Sequence, residues 1–177
     1  MKYLCLARSP EVSPGDVRLV RECLEGLGEP VREMRLPAVD FSYDDDRQQC
    51  RSVAILELLA RLCPAGAHKL VAVTDRDLFV PVLTFVFGQA QLGGRLAVVS
   101  LARLRQEFYG LPSNPKIFEE RVRKETLHEA GHLFGLVHCT DRSCAMSLAT
   151  NVLQIDAKSA GFCAVCATRL QQARERA

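Results

Sequence analysis

The segment "SNPKIFEERVRKETLHEAGHLFG" constrains the fold most strongly, because it predicts a long helix with clear ends. Asn114 is a suitable N-cap, Pro115 suits the first helical position, and Gly135 stands just past the last turn. Three of the chain's four histidines lie between Thr126 and Ser147, in this helix or just after it. Histidines that are this scarce and this clustered indicate a binding site.

The spacing of these histidines predicts a catalytic metal site. His128 and His132 are four residues apart, so both project from one face of the helix and can bind one ion. Glu129 can reach a metal-bound water without being a ligand itself. Gly135 permits a sharp turn, after which His138 returns as a third nitrogen ligand. A fourth position stays open to water, whose pKa zinc lowers to about 7. The alternative is a set of surface or core histidines on an amphipathic helix.

Two separated pairs of cysteines predict a second metal site. Four thiolates at this spacing match a closed, tetrahedral structural zinc site, which would order the loop-rich residues 139 to 166. A redox CxxC motif or independent reduced thiols are the alternatives. The chain is therefore expected to bind two zinc ions, one catalytic and one structural. The four cysteines are Cys139, Cys144, Cys163 and Cys166.

The remaining candidate ligands are scattered along the chain. His68 stands alone before a predicted strand and is not expected to bind metal. Four further cysteines lie within apolar strand or helix patterns, where we expect buried thiols. They are Cys5, Cys23, Cys50 and Cys63.

Hydrophobic patterning predicts an α/β fold with a small irregular C-terminal lobe. The second predicted helix, residues 43–66, carries acidic residues in its first turn. Residues 82–94 are expected to form an edge strand and a glycine turn, and residues 136–161 are expected to be loop-rich. The other expected elements are strands at 2–7, 31–36, 68–75 and 94–101, and helices at 13–28, 113–135 and 163–176.

Composition limits the partners and the cellular location. Lys and Arg number 23 against 21 Asp and Glu, without a block of like charge, so neither nucleic acid nor a membrane surface is expected as a partner. The longest apolar run is broken by Pro81, and the apolar run that follows Met1 is too short for a signal peptide. We therefore expect a cytoplasmic protein. Residues 1–177 are expected to form one domain, with an N-terminal lobe of about 1–138 and a C-terminal lobe of about 139–177.

With "HEAGHLFGLVHC" read, the chain resembles the metzincin clan of zinc metallopeptidases, and the cysteines together with Met146 narrow the likeness to the archaemetzincins. The resemblance implies a small mixed twisted sheet with two backing helices, an active-site helix and a zinc-stapled lobe with a final helix. It implies that the three histidines bind catalytic zinc, that Glu129 is the general base and that the four cysteines bind a second zinc. It also implies that Met146 forms the Met-turn under the histidines, whereas spacing alone would leave it as core filler.

These features together predict a zinc metallopeptidase that hydrolyses a peptide or protein lying along the edge strand. All three tyrosines precede the helix motif, so zinc itself is expected to stabilise the oxyanion. A zinc amidase or deacetylase is one alternative. Another is a non-catalytic zinc-binding module for a protein or nucleic-acid partner, although such a module has no need for Glu129 beside the first ligand.

Overall fold

A computed structural model of the protein describes residues 2–176 and contains two sheets. The five-stranded sheet has the order β2-β1-β5-β8-β7, and the smaller sheet has the order β3-β4-β6. The strands are β1 (Tyr3–Arg8), β2 (Val31–Arg35), β3 (Tyr43–Asp44), β4 (Gln49–Arg51), β5 (Ala67–Thr74), β6 (Leu78–Phe79), β7 (Gly88–Ala90) and β8 (Leu96–Ser100).

Five α-helices accompany the sheets. Ser13 caps the first of them by accepting a hydrogen bond from the Asp16 amide at 3.1 Å, and Pro14 occupies the first turn, as the sequence predicts. Three short 3-10 helices lie in the connections. The α-helices are α1 (Pro14–Glu25), α2 (Ser52–Leu62), α3 (Pro115–Leu133), α4 (Val152–Ala157) and α5 (Ala164–Arg176).

The order of the large sheet determines on which face each helix packs. Strands β2, β1, β5 and β8 are parallel, whereas β7 pairs antiparallel with β8. The crossover through α1 joins β1 to β2, which lies on one side of β1. The crossover through α2 joins β2 to β5, which lies on the other side of β1. Two right-handed crossovers in opposite directions place their helices on opposite faces. The two backing helices therefore cover different faces of the sheet, and α3 shares the face of α1.

Alternating residues of the central strands enter two separate hydrophobic clusters. In β5, Val71 and Val73 pack with α1 and α3, whereas Leu70 and Ala72 pack with α2. This two-sided burial explains the continuous apolar runs in the sequence. The cluster around α3 also includes Ile155 of α4 and Leu170 of α5, so the C-terminal lobe packs on the same core as the sheet.

The mixed α/β architecture agrees with the prediction, but three details were wrong. The acidic residues 44–46 do not begin a helix; Asp44 ends β3, and Asp45 and Asp46 lie in the turn to β4, where the Asp44 carboxylate accepts the amide of Arg47 at 3.1 Å. Asp favours such turns because its side chain competes for nearby backbone amides. Helix α2 consequently begins at Ser52 and has no acidic residue in its first turn. Helix α4 lies within the predicted loop, capped by Asn151, and the edge strand is shorter than predicted.

No helix within residues 2–176 is both long enough and apolar enough to cross a membrane.

The two faces of α2 should respond differently to truncation. Ile55 is fully buried under the sheet, and we expect Ile55→Ala to lower the free energy of unfolding by about 2–5 kcal/mol. Val53 on the same helix is 37% exposed, and Val53→Ala should change it by less than about 0.5 kcal/mol. Urea denaturation of both variants measures the difference, and equal losses would contradict the assigned packing of α2.

Candidate metal centre and cleft

Helix α3 has the ends that the sequence predicts. Asn114 accepts the amide of Ile117 at 3.2 Å, with Pro115 in the first turn. At the other end, Gly135 adopts φ +84° and its amide donates to the His132 carbonyl at 2.9 Å, while the Leu136 amide donates to Gly131 at 3.0 Å. This pair of bonds is the Schellman motif, which requires a residue in the left-handed region and so favours glycine. The motif reverses the chain immediately after His132.

The structure brings the three histidines together. The ring centroids of His128 and His138 are 5.3 Å apart, and those of His132 and His138 are 5.0 Å apart. One ring nitrogen from each histidine lies within 4.8 Å of those of the other two. His138 is the most exposed of the three, so the cluster opens to solvent on its side.

Hydrogen bonds to backbone carbonyls orient two of these rings. His128 Nδ1 lies 2.8 Å from the Ala145 carbonyl, and His132 Nδ1 lies 2.7 Å from the Leu136 carbonyl. Because a carbonyl only accepts, each Nδ1 carries the proton and each Nε2 keeps its lone pair. Burial, with a smaller contribution from Lys158, lowers the pKa of His128 to about 3, and burial also lowers the pKa of His132 and His138. The rings are therefore neutral, as metal ligands must be.

The nitrogen positions fit a cation. His128 Nε2 and His132 Nε2 lie 3.1 Å apart, and two lone pairs at that distance repel each other unless a positive charge lies between them. Tetrahedral zinc with Zn–N bonds of about 2.0–2.1 Å separates its nitrogen ligands by about 3.3 Å. The three histidines can therefore hold a zinc ion with little rearrangement.

The Glu129 carboxylate lies beside the histidines with one oxygen uncommitted. Its side chain is buried, and Oε2 has no hydrogen-bond partner within the part of the chain that the structure describes. Burial first, and then the neighbouring Glu125 carboxylate, raise the pKa of Glu129 well above its usual value of 4.5. Gly88 of β7 faces this carboxylate so closely that a Cβ atom there would lie 2.7 Å from Glu129 Oε1. Strand β7 can approach Glu129 only because position 88 lacks a side chain.

Met146 packs beneath the histidine helix. It is fully buried, and its sulfur lies directly against Gly131, where a Cβ atom would overlap with it. The chain around Met146 is tied to the site, because the Ala145 carbonyl accepts His128 and the Met146 carbonyl accepts the Cys139 amide at 3.0 Å. The methionine therefore packs against the helix that carries His128 and His132.

The four predicted cysteine ligands also converge. Their sulfur atoms all lie within 4.8 Å of one another, with 3.8 Å between Cys139 Sγ and Cys163 Sγ. Zn–S bonds of about 2.3 Å in a tetrahedron separate the sulfurs by about 3.8 Å. The amides of Met146 and Cys163 point at Cys144 Sγ from 3.4 and 3.3 Å and partly offset the burial that raises the pKa of this thiol. A backbone amide, that of Cys166, is the main cause that lowers the pKa of Cys163 to about 7. This donor set fits a closed zinc site.

The other cysteines and His68 lie away from both clusters. Burial raises the pKa of Cys5 and Cys23 to about 11 and also raises that of Cys50, as expected for buried thiols. Cys63 is only half-buried, contrary to the prediction, and its sulfur lies 3.4 Å from the Arg95 guanidinium, because it follows the last turn of α2 at the surface. His68 lies 3.3 Å from Glu29 instead of near a metal ligand.

A cleft of about 310 Å³ opens over the histidines between β7 and the segment after Met146. Phe85 and Phe87 line one side and Leu148 lines the other, while Glu125 lies one helical turn from Glu129. Within residues 2–176 the lining of the cleft includes no tyrosine, lysine or arginine. The contributions of Gly88, Gly131 and Glu125 were not predicted from the sequence.

Comparison with known proteins identifies the family. The profile of peptidase family M54 matches residues 64–172. The archaemetzincin of Methanopyrus kandleri is 40% identical over 174 residues, which cover 96% of this chain and 95% of the relative. The chain belongs to peptidase family M54, the archaemetzincins. It is therefore a zinc metallopeptidase, as the sequence predicts.

Further relatives and solved structures agree with this family and fold. The archaemetzincin of Methanocaldococcus jannaschii is 40% identical over 139 residues, covering 77% of this chain and 75% of the relative. The crystal structure of the M. kandleri archaemetzincin superposes with a TM-score of 0.87 at 39% identity, covering 99% of this chain and 96% of that one. An archaemetzincin from Archaeoglobus fulgidus, crystallised with malonate, gives a TM-score of 0.80 at 30% identity, covering 96% and 99% of the two chains.

Because Gly88 lies so close to Glu129, we expect that adding one methyl group at position 88 will strongly lower the activity. Gly88→Ala should displace the Glu129 carboxylate and lower kcat by about 10²-fold, since misplacing a catalytic group by about 1 Å has that cost. Peptide hydrolysis is the measurement, with zinc content as a check on the metal site. Gly15→Ala is the matched control, because its new Cβ would meet only Ser13 Oγ at 3.7 Å, far from the cleft. Full activity in Gly88→Ala would show that Glu129 needs no such space.

Proposed function

We propose that this metallopeptidase cleaves peptide bonds at the histidine cluster, with Glu129 as the general base. The observation that supports this most strongly is the position of Glu129, a buried carboxylate with a free oxygen beside three neutral imidazoles that can bind one cation. His128, His132 and His138 would hold the catalytic zinc. A zinc ion bound there supplies a Lewis acid, which polarises a peptide carbonyl, stabilises its oxyanion and acidifies water.

In this mechanism Glu129 moves the proton. Its Oε2 atom accepts a proton from the attacking water, and the same carboxyl then donates a proton to the leaving amine. Gly88 keeps the space in which this carboxylate lies.

Strand β7 would bind the substrate backbone. Gln89 pairs with Val98 of β8, and the Phe87 carbonyl accepts the amide of Ser100 at 2.8 Å. The backbone amides and carbonyls of the odd-numbered residues of this strand therefore point toward β8. The amides and carbonyls of Gly88 and Ala90 therefore point away from β8, toward the open edge of the sheet. An extended peptide can add there as a further strand, next to Glu129.

The four cysteines would hold the second zinc, which has a structural role. Cys144 lies next to Ala145, whose carbonyl orients His128, so the loop bound by the cysteines also supports the catalytic cluster. A closed set of four thiolates leaves no position for a substrate. Met146 supports the histidines from below, as the Met-turn of the family.

We further infer that the chain works as one domain in a reducing compartment such as the cytoplasm. One hydrophobic cluster spans the sheet, α3, α4 and α5, which supports a single domain. All eight cysteines are free, which is consistent with a reducing environment. The free edge of β7 beside Glu129 and membership in a peptidase family favour a peptidase over an amidase or a non-catalytic module.

The general-base role predicts a loss of turnover without a loss of metal. Glu129→Ala should retain both zinc ions and lower kcat by about 10²–10⁴-fold, the usual contribution of a positioned base. Zinc content and hydrolysis of a peptide mixture are measured on the same preparation. Glu119→Ala, which removes an acid near the start of α3, is the control and should keep full activity. Unchanged hydrolysis in Glu129→Ala would refute the assignment.

The two metal sites should differ in lability. Mild chelation is expected to remove the zinc held by the three histidines first, because that site is open to solvent, and to leave the zinc held by four thiolates. Cys166→Ser should reduce the total from two zinc ions to one and lower the melting temperature, whereas Cys23→Ser, at a buried thiol outside the cluster, should keep both ions. Metal analysis and thermal melts test this. A single zinc ion in the wild-type protein would contradict it.

A further inference from the structure

A buried ion pair lies at the edge of the cleft, one helical turn from Glu129. Glu125 precedes Glu129 by four residues, so the two share a face of α3 and are about 6 Å apart along its axis. Lys158, just after α4, places its Nζ 3.2 Å from Glu125 Oε1. The two side chains are 1% and 4% exposed for Lys158 and Glu125, respectively. Desolvating an ion pair this deeply buried costs free energy, so a contribution to stability does not by itself explain why the pair is present.

The two partners differ in how they face the cleft. The Glu125 side chain is part of the cleft lining, whereas Lys158 lies behind it and does not line the cleft. Lys158 Nζ also lies 3.4 Å from the Ala145 carbonyl, which belongs to the loop under the histidines. Lys158 therefore neutralises Glu125 from the rear, and a ligand in the cleft meets only the carboxylate.

The remaining walls of the cleft are mainly apolar, with Thr84, Gln89 and Thr150 as neutral polar side chains. Phe85, Phe87, Leu148 and Ala149 contribute to its walls, and no basic side chain within residues 2–176 lines it. Within the same described residues, Glu125 and Glu129 are the acidic side chains that line the cleft. Glu129 is committed to the scissile bond in the proposed function, so a cationic substrate side chain can form its charge-assisted hydrogen bond with Glu125. Leaving that carboxylate against an apolar or an acidic side chain costs free energy, because its hydration is lost without replacement.

We propose that Glu125, backed by Lys158, determines specificity: the subsite next to the scissile bond selects a lysine or arginine side chain and rejects aspartate and glutamate. The long methylene stem of either basic residue packs against the apolar walls, while its cationic head donates to Glu125. This inference rests on the proposed function, since it assumes that a peptide occupies the cleft. It adds the chemical class of the substrate side chain.

The test compares peptides that differ only at the residues flanking the scissile bond. Arg, Lys, Leu and Glu are placed in turn on each side of that bond, and kcat/KM is measured with the zinc-loaded full-length protein. On one side of the bond, the wild-type chain should cleave the Arg or Lys peptide at least about tenfold better than the Glu peptide. The Kd values of the same peptides for Glu129→Gln should follow the same order, since Glu125 acts on binding.

The decisive variant removes both partners of the pair. Glu125→Met combined with Lys158→Met should keep the fold, because replacing a buried ion pair with apolar residues of similar volume is close to neutral. Its preference should shift from Arg or Lys to Leu. Glu125→Gln, which keeps the shape and a neutral acceptor, should show an intermediate preference.

A second ion pair on the same helix, between the buried Arg121 and the partly exposed Asp156, provides the control. Arg121 binds Asp156 of α4 through two bonds of 2.7 Å, but neither residue lines the cleft. Arg121→Met combined with Asp156→Leu should therefore leave the side-chain preference unchanged. Zinc content and a thermal melt establish that each variant is folded and loaded.

The possible outcomes distinguish a failure of the specificity assignment from a failure of the proposed peptidase function. Efficient cleavage without preference for Arg or Lys, or an unchanged preference in the Glu125/Lys158 double variant, would overturn the specificity assignment and leave the peptidase function intact. Absence of hydrolysis for every peptide by the zinc-loaded wild-type chain would overturn the proposed function, and the specificity assignment with it.

Discussion

The geometry of the metal centre depends on two hydrogen bonds from imidazole rings to backbone carbonyls. His128 donates to Ala145 and His132 donates to Leu136, so both Nε2 lone pairs point at one position. Both acceptors lie outside α3. Leu136 follows the turn at the end of the helix, and Ala145 belongs to the loop that packs beneath it. The turn at Gly135 and the cysteine-bound loop are therefore part of the site, since they hold the acceptors in place.

The site also requires glycine at two positions where the backbone comes close to a neighbouring side chain. Gly88 lets the edge strand come up to the Glu129 carboxylate, and Gly131 lets Met146 pack against the helix from below. Gly135 has a different role, since its φ of +84° closes the helix. A Cβ atom at either of the first two positions would meet a neighbouring side chain, whereas at Gly135 the cost would be conformational. The absence of side chains at Gly88 and Gly131 therefore leaves the space that Glu129 and Met146 occupy.

Charged groups are concentrated on the face of α3 that packs against the C-terminal lobe. Arg121 binds Asp156, Lys124 donates to the Asp156 carbonyl, and Glu125 binds Lys158. These contacts attach α4 and the residue after it to the helix that carries the histidines. They also explain why α3 lacks a simple apolar stripe, although it is largely buried. Hydrophobic periodicity alone would have underestimated its burial.

The amino-acid sequence alone predicts helix α3, its caps, both sets of candidate metal ligands and the strands β1, β2, β5 and β8. These features rest on short-range rules, because capping residues, four-residue spacing and apolar runs act within a few turns of the chain. Two contacts are evident only in the folded chain: Gly88 faces Glu129, and Lys158 pairs with Glu125, 33 residues away. Such contacts join segments distant in the chain, and no local pattern encodes which segments the fold brings together.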